Sequence, residues 1–352
     1  MQDFIPAIGV LMVVLRHVLR EGRHGDLLGA RFYFFCRSAV YFSPFRVAVC
    51  ASVSLWLPFS FDAAAPLCHH LASESFRISF RISILASGSS GNSTLLETER
   101  TTLLIDAGLG RREIARRFEA LGRPLPERVD AILITHEHTD HSSAAAQLAR
   151  LWDCPAYLTE PTHREIVKMF AEEPDKPGPK ATIDRVEYIR AGERFQIGDI
   201  EVNPFRIPHD AADPVAFSFR TNGTKVAVAT DLGYMPELVK QHLREADFLI
   251  LESNHDLEML KVGPYPWHIK QRVMSRTGHL SNNIVSEFLA DAEVFDARAR
   301  HLVLAHLSEQ NNTPDLAQIS AEQALAARTA DFAFRGSLHI ANQRIPLGPF
   351  EL

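Results

Sequence analysis

The most restrictive feature of the chain is the run Thr135-His136-Glu137-His138-Thr139-Asp140-His141, which directly follows the continuous apolar stretch 129–134. That stretch reads as a buried strand. Side chains alternate along a strand, so His136 and His138 leave its end pointing the same way. Both can reach one ion, at about 2.0–2.1 Å if it is zinc. Asp140 and His141 follow where the chain turns and can face a second ion. A His-x-His-x-Asp-His pattern arises by chance about 0.002 times in a chain of this composition, so an incidental loop is set aside. The His-Glu-x-x-His arrangement of helical zinc sites is absent.

Two ions need more donors, and the sequence offers them at strand ends. Ile207-Pro208-His209-Asp210 follows a strand expected at 201–207, and Val226-Ala227-Val228-Ala229-Thr230-Asp231 is an apolar run ending in a carboxylate. His301-Leu302-Val303-Leu304-Ala305-His306 repeats the device with histidine. One His or Asp ending a strand is more often a cap or turn residue. Three of them beside the first motif describe donors leaving one sheet edge, which a rigid dinuclear site requires.

The surrounding pattern predicts strands at 76–85, 94–97, 102–105, 129–134, 201–207, 216–220, 225–229, 248–251 and 301–305. Helices are expected at 111–121, 142–151, 235–246, 282–290 and 314–326. Strands precede and separate helices without strict alternation, which argues for a layered mixed α/β fold rather than a doubly wound sheet. The Pro- and charge-rich stretch 172–180 reads as a solvated loop. A formal charge of −6 excludes a global basic field for nucleic acid, so such a partner needs a local site. Four isolated cysteines with no Cys-x-x-Cys pair fit a reducing, cytoplasmic setting.

Residues 1–75 differ in kind, with six arginines, no lysine and three of the four cysteines. Their apolar runs, 4–15 and 47–59, fall short of the roughly 20 residues that span a bilayer, so no integral membrane insertion is expected. A surface anchor, a structured extension and a segment irrelevant to function all remain open. The expected division is an atypical, poorly ordered N-terminal extension over 1–75 and a hydrolase domain over 76–352.

Residues 78–325 resemble a metallo-β-lactamase-fold metallohydrolase, and within it the YycJ/WalJ-like exonuclease group. The resemblance is carried by Ser87-Gly88-Ser89-Ser90-Gly91-Asn92, Leu104-Ile105-Asp106-Ala107-Gly108, the 136–141 motif, Pro208-His209-Asp210-Ala211 and Thr230-Asp231-Leu232-Gly233. It extends through Leu251-Glu252-Ser253-Asn254-His255-Asp256, Gly263-Pro264-Tyr265-Pro266-Trp267, Gly278-His279-Leu280-Ser281-Asn282 and the string 304–312. It implies a four-layer αββα sandwich with two divalent ions (zinc or manganese, with iron open) at one edge. By the family pattern His136, His138 and His209 hold the first ion and Asp140, His141 and His306 the second. Asp231 bridges them, and Asp106 supports the site without binding metal.

A pair of divalent ions outweighs Asp140, Asp231 and a bridging hydroxide by about one positive charge, which favours an anionic substrate. Such ions lower the pKa of bound water towards about 7, so hydroxide is available for attack at phosphorus. The resemblance extends this to a dinuclear phosphodiesterase with DNA as partner, a 5′–3′ exonuclease. The alternative is a small-molecule hydrolase for a cyclic phosphate, lactone or thioester on the same metals. The phosphodiesterase branches place a non-ligand histidine where His279 stands, as phosphate contact and proton donor; its plainer reading is a residue before the 282–290 helix. Ser89, Ser90 and Asn92 form a glycine-rich loop that either cradles phosphate or only turns, and Asn254 and His255 are candidates to line the groove. Tyr265 and Trp267 fit stacking on a base or, more plainly, packing. Oligomeric state is not readable from the residues.

Overall fold

The computed structural model describes residues 79–171 and 182–352. Expectations for 1–75, for the start of the first strand at 76–78 and for the loop 172–180 lie outside the described residues.

The strands that carry the sandwich are apolar on both faces, and their alternation shows what each face meets. In the first sheet β1 (Arg81–Ala86), β2 (Ser93–Glu97), β3 (Thr102–Ile105), β4 (Ala131–Leu133), β5 (Ala156–Leu158) and β6 (Val186–Tyr188) run in sequence order. The second sheet holds β7 (Phe195–Ile197), β8 (Ile200–Arg206), β9 (Val215–Thr221), β10 (Thr224–Ala229), β11 (Phe248–Glu252), β12 (His301–Ala305) and β13 (Ser337–Ile340), again in order. The last strand, β14 (Leu347–Glu351), returns to pair with β1. Leu103 and Ile105 of β3 share a buried cluster with Val226 and Val228 of β10 and Phe248 and Ile250 of β11. The residues between them face outward: Leu104 joins helix residues on one side, Ala227 and Leu249 those on the other. Burial on both faces explains the unbroken apolar runs of β10, β11 and β12, which pair in parallel.

Helices cover both outer faces. On the first sheet lie α1 (Arg111–Ala120), α2 (Thr139–Ser142), α3 (Ala145–Trp152) and α4 (Glu160–Ala171); Ile114, Phe118, Leu148 and Trp152 enter its outer core. The second carries α5 (Glu237–Leu243), α8 (Asn282–Ala290) and α9 (Pro314–Ala326), while α6 (Leu257–Val262) and α7 (Trp267–Val273) lie in the link from β11 to α8. Ser281 caps α8 and Thr313 caps α9, each hydroxyl accepting the N–H three residues on. The result is the expected αββα sandwich.

Two expectations change in detail, and several short strands are new. The helix foreseen over 142–151 is broken between α2 and α3, because Ala144 N–H bonds back to the carbonyl of Ala107 at 2.8 Å. The helix over 235–246 shrinks to α5, with Pro236 at its start and Glu245 in the left-handed region (φ 60°) past its end. β5, β6, β7, β13 and β14 carried no expectation; polar residues or proline interrupt β6, β7, β13 and β14, and β5 has only three residues.

Parallel register decides where the chemistry lies. Ala229, Leu251 and Leu304 sit abreast on β10, β11 and β12, so residues 231, 252 and 306 emerge together. β3 and β4 pair in parallel, with Ile105 beside Leu133, so Asp106 and the 136–141 motif emerge at their carboxyl ends. Among the described residues, no helix is long and apolar enough to cross a membrane.

Candidate metal centre

The loop between β4 and α2 is held in place by its backbone. Asn92 N–H donates to the Asp140 carbonyl at 2.7 Å, and Ala107 N–H donates to the His141 carbonyl at 2.7 Å. Gly108 is required by this approach: a Cβ there would stand 1.7 Å from the Asp140 carbonyl oxygen.

The loop and three strand ends bring every expected donor into one cluster. His138 Nδ1 lies 3.0 Å from His136 Nε2 and 3.2 Å from His209 Nε2. Beside this trio, His141 Nε2 and His306 Nε2 each stand 3.4 Å from Asp140 Oδ2. Asp231 lies between the groups, 3.8 Å from His209 Nε2 and 3.3 Å from His141 Nε2. His136, His141, His209, Asp231 and His306 are all buried. The histidine rings are oriented from behind: His141 Nδ1 donates to Asp106 at 2.8 Å, and His209 Nδ1 to the Gly278 carbonyl at 3.1 Å. Thr135 Oγ1 sits 3.0 Å from His136 Nδ1 while donating to Asp106. Each of these contacts keeps a proton on Nδ1, so that Nε2 is the nitrogen turned towards the cluster, the arrangement that metal-ligating histidines need.

The charges fit a cation. Burial opposes ionisation of Asp140 and Asp231, yet the surrounding imidazoles hold both carboxyls below the usual range. Burial likewise opposes charge on His141 and His306; the carboxylates around them override it, raising His141 well above normal and His306 to about 10. His136, buried and ringed by other imidazoles, is pushed far down. Asp231 Oδ2 is buried without any hydrogen-bond donor. An orphaned carboxylate oxygen amid convergent imidazole nitrogens is a donor set for divalent metal, which would replace the protons that His141 and His306 otherwise hold.

Asp106, Asp231 and His306 all adopt positive φ (59°, 63° and 54°) at the ends of β3, β10 and β12. Each costs about 1–2 kcal/mol in a residue with a Cβ. The three turns aim their side chains back over the sheet edge.

Glu252 carried no expectation and proves central. It is wholly buried at the end of β11. One oxygen accepts from His279 Nδ1 at 2.8 Å and His306 Nδ1 at 3.1 Å. The other accepts from the N–H groups of Leu232 and Leu280 at 2.8 and 3.0 Å. With all four lone-pair positions taken by protein donors, Glu252 orients histidines rather than holding metal. The clue was present, since Glu252 ends an apolar strand as Asp231 does. Ser87 was also missed; its hydroxyl accepts the His306 N–H at 2.8 Å.

The remaining candidates divide. His279 joins the cluster, its ring centroid 5.1 Å from that of His209 and 5.3 Å from that of His306. Asn92 also joins it, with Nδ2 2.9 Å from His141 Nε2 and 3.1 Å from Asp140 Oδ2. Ser89 is exposed, and Ser90 is tied to Gln343 through its N–H and hydroxyl. The Gly88 N–H is held by Asn92 and the Gly91 N–H by the Gly88 carbonyl, so these three loop amides are engaged within the protein. Asn254 is buried and donates to the His306 carbonyl at 2.8 Å, fixing backbone instead of lining a groove. His255 is buried with Nδ1 unpartnered, and burial pushes it down to about 4, so it is neutral. Trp267 is 64% exposed, which overturns the packing reading.

Comparison with known proteins follows the same lines. Residues 101–307 match the beta-lactamase superfamily domain. The chain is 36% identical over 264 residues to exodeoxyribonuclease YycJ of Bacillus anthracis, spanning 75% of this chain and 96% of that protein. It is 38% identical over 249 residues to exodeoxyribonuclease WalJ of Streptococcus pneumoniae serotype 2, spanning 71% and 89%. The crystal structure of the metallo-beta-lactamase fold protein YhfI from Bacillus subtilis superposes with a TM-score of 0.52 at 16% identity, covering 76% of this chain and 98% of that one.

Proposed function

The chain belongs to the β-lactamase superfamily and is a metal-dependent hydrolase; on that premise we propose that it is a dinuclear phosphodiesterase, a DNA exonuclease working from a 5′ end. The observation that carries the reading is the pair of donor groups joined at Asp231. His136, His138 and His209 would hold one ion, and Asp140, His141 and His306 the other. When bound, two divalent ions supply Lewis acidity and lower the pKa of water towards about 7.

The residues supply the rest. His279 Nδ1 donates to Glu252, so its Nε2 faces away from that carboxylate. Burial pulls the His279 pKa down, but Glu252 outweighs it and raises the ring above its ordinary value. With Nδ1 held by Glu252, His279 is oriented to contact the scissile phosphate through Nε2–H and to deliver that proton to the departing oxygen. His255, kept neutral, offers a further hydrogen-bonding ring near the same edge. Asn254 and Asp106 act through the histidines that they position.

Digestion of 5′-phosphorylated, end-labelled DNA with manganese tests the reading. Mononucleotides should be released in order from the 5′ end, and Asp140→Ala should abolish release. Turnover confined to bis-p-nitrophenyl phosphate or a lactone transfers the site to the small-molecule alternative.

A further inference from the structure

Residues 257–278 form an arm of unusual composition that comprises α6, α7 and the links around them. Lys261, Lys270, Arg272 and Arg276 stand there against the single acid Glu258, in a chain whose formal charge is −6. The arm is rigid: Asp256 caps α6 through Met259 N–H at 2.8 Å, and buried Lys270 ties α7 to α6 by donating to the Lys261 carbonyl at 2.7 Å. Pro264 and Pro266 restrict the backbone between the two helices.

The C-terminal part of the arm reaches the metal centre. Arg272 at the end of α7 pairs with Asp210, whose Oδ1 is 3.4 Å from His209 Nε2. Past it, the Gly278 carbonyl accepts from His209 and leads directly into His279. The Arg276 backbone packs on Gly233, where a Cβ would come within 2.3 Å of the Arg276 carbonyl. Its exposed guanidinium lies 4.4 Å from the Tyr234 ring centroid, and no carboxylate pairs with it among the described residues.

The arm also leaves apolar surface in water: Val262 is 84% exposed and Trp267 64%. Tryptophan has among the most area to gain from burial, so an exposed one on a rigid, cationic support signals a missing partner. Five residues of helix separate Trp267 from Arg272, about 8 Å at 1.5 Å per residue. An aromatic face and an unpaired guanidinium flanking a phosphodiester site match single-stranded nucleic acid, whose bases stack and whose phosphates seek cations.

We propose that this arm is the platform for the single-stranded DNA beside the scissile phosphodiester, with Trp267 stacked on a base and Arg276 on a backbone phosphate. The proposal rests on the exonuclease reading. Its test compares two substrates of the full-length protein: a 5′-phosphorylated oligothymidylate and the p-nitrophenyl ester of thymidine 5′-phosphate. Trp267→Ala should raise KM on the oligonucleotide relative to the ester by about 5–150-fold, with Trp267→Phe restoring most of it. Arg276→Ala should lower the slope of log affinity against log salt by about 0.7. Equal effects on both substrates, or none on either, overturn the platform while the exonuclease stands. Hydrolysis of the ester by the unaltered protein with no action on DNA removes the exonuclease reading and the platform with it.

Discussion

Glu252→Gln isolates the orienting role of a buried carboxylate from ligation itself. Glutamine has one acceptor end, whereas Glu252 serves four donors through two oxygens. If the amide nitrogen faces the backbone, the N–H groups of Leu232 and Leu280 lose their acceptor, at about 1–3 kcal/mol each. If it faces His279 and His306, both rings can give up the Nδ1 proton, keep the one on Nε2 and accept at Nδ1 instead. The second arrangement is cheaper in the metal-free protein, by up to about 6 kcal/mol on those figures. It also fixes a proton on His306 Nε2, the atom that faces Asp140, where an ion would need the lone pair. The damage therefore appears in metal affinity, as a loss of about 10–100-fold, equivalent to about 1.4–2.8 kcal/mol. Competition with a chelating dye measures the affinity, and melting with excess chelator measures the metal-free fold. Affinity within about threefold of the unaltered protein, with a large drop in the chelated melting temperature, would refute the tautomer reasoning.

Three further outcomes are expected. His279→Ala should lower turnover of DNA by about 100-fold or more while metal content, read by mass spectrometry, stays near that of the unaltered protein; parallel losses would make His279 a structural residue. Asp106→Asn should weaken the ion held with His141 by about 10–100-fold, because the amide cannot accept from both His141 Nδ1 and Thr135 N–H, and metal titration reads it directly. Adding manganese or zinc at about 100 times its dissociation constant should stabilise the chelated protein by about 2.7 kcal/mol, several degrees in a melting scan; an unmoved transition would remove metal from the cluster.

The sequence displays the site more fully than the frame around it. The 136–141 motif is local, so strand alternation and one turn suffice to read its geometry. His209, Asp231 and His306 are legible only as a set, because each ends an apolar strand in the same way. Glu252 fits that rule too, but its partners lie 27 and 54 residues away: His306 meets it through the β11–β12 register and His279 through the loop before α8. The glycine-rich loop misled in a physical way: its composition announces available amides, whereas Asn92 and the Gly88 carbonyl engage two of them and Gln343, far along the chain, engages a third. Trp267 shows the opposite failure, since burial is the ordinary fate of such a residue and only coordinates reveal its exposure.

The donors are divided between the two layers: 136–141 hangs from the first sheet, and His209, Asp231 and His306 from the second. An ion seated among them clasps one half of the sandwich to the other at its rim. Without an ion the rim is held by the apolar middle and by cross-sheet hydrogen bonds such as that from the His306 N–H to Ser87. Withdrawal of divalent ions is thus expected to lower the amount of folded protein as well as its activity, read as faster proteolysis of the chelated protein.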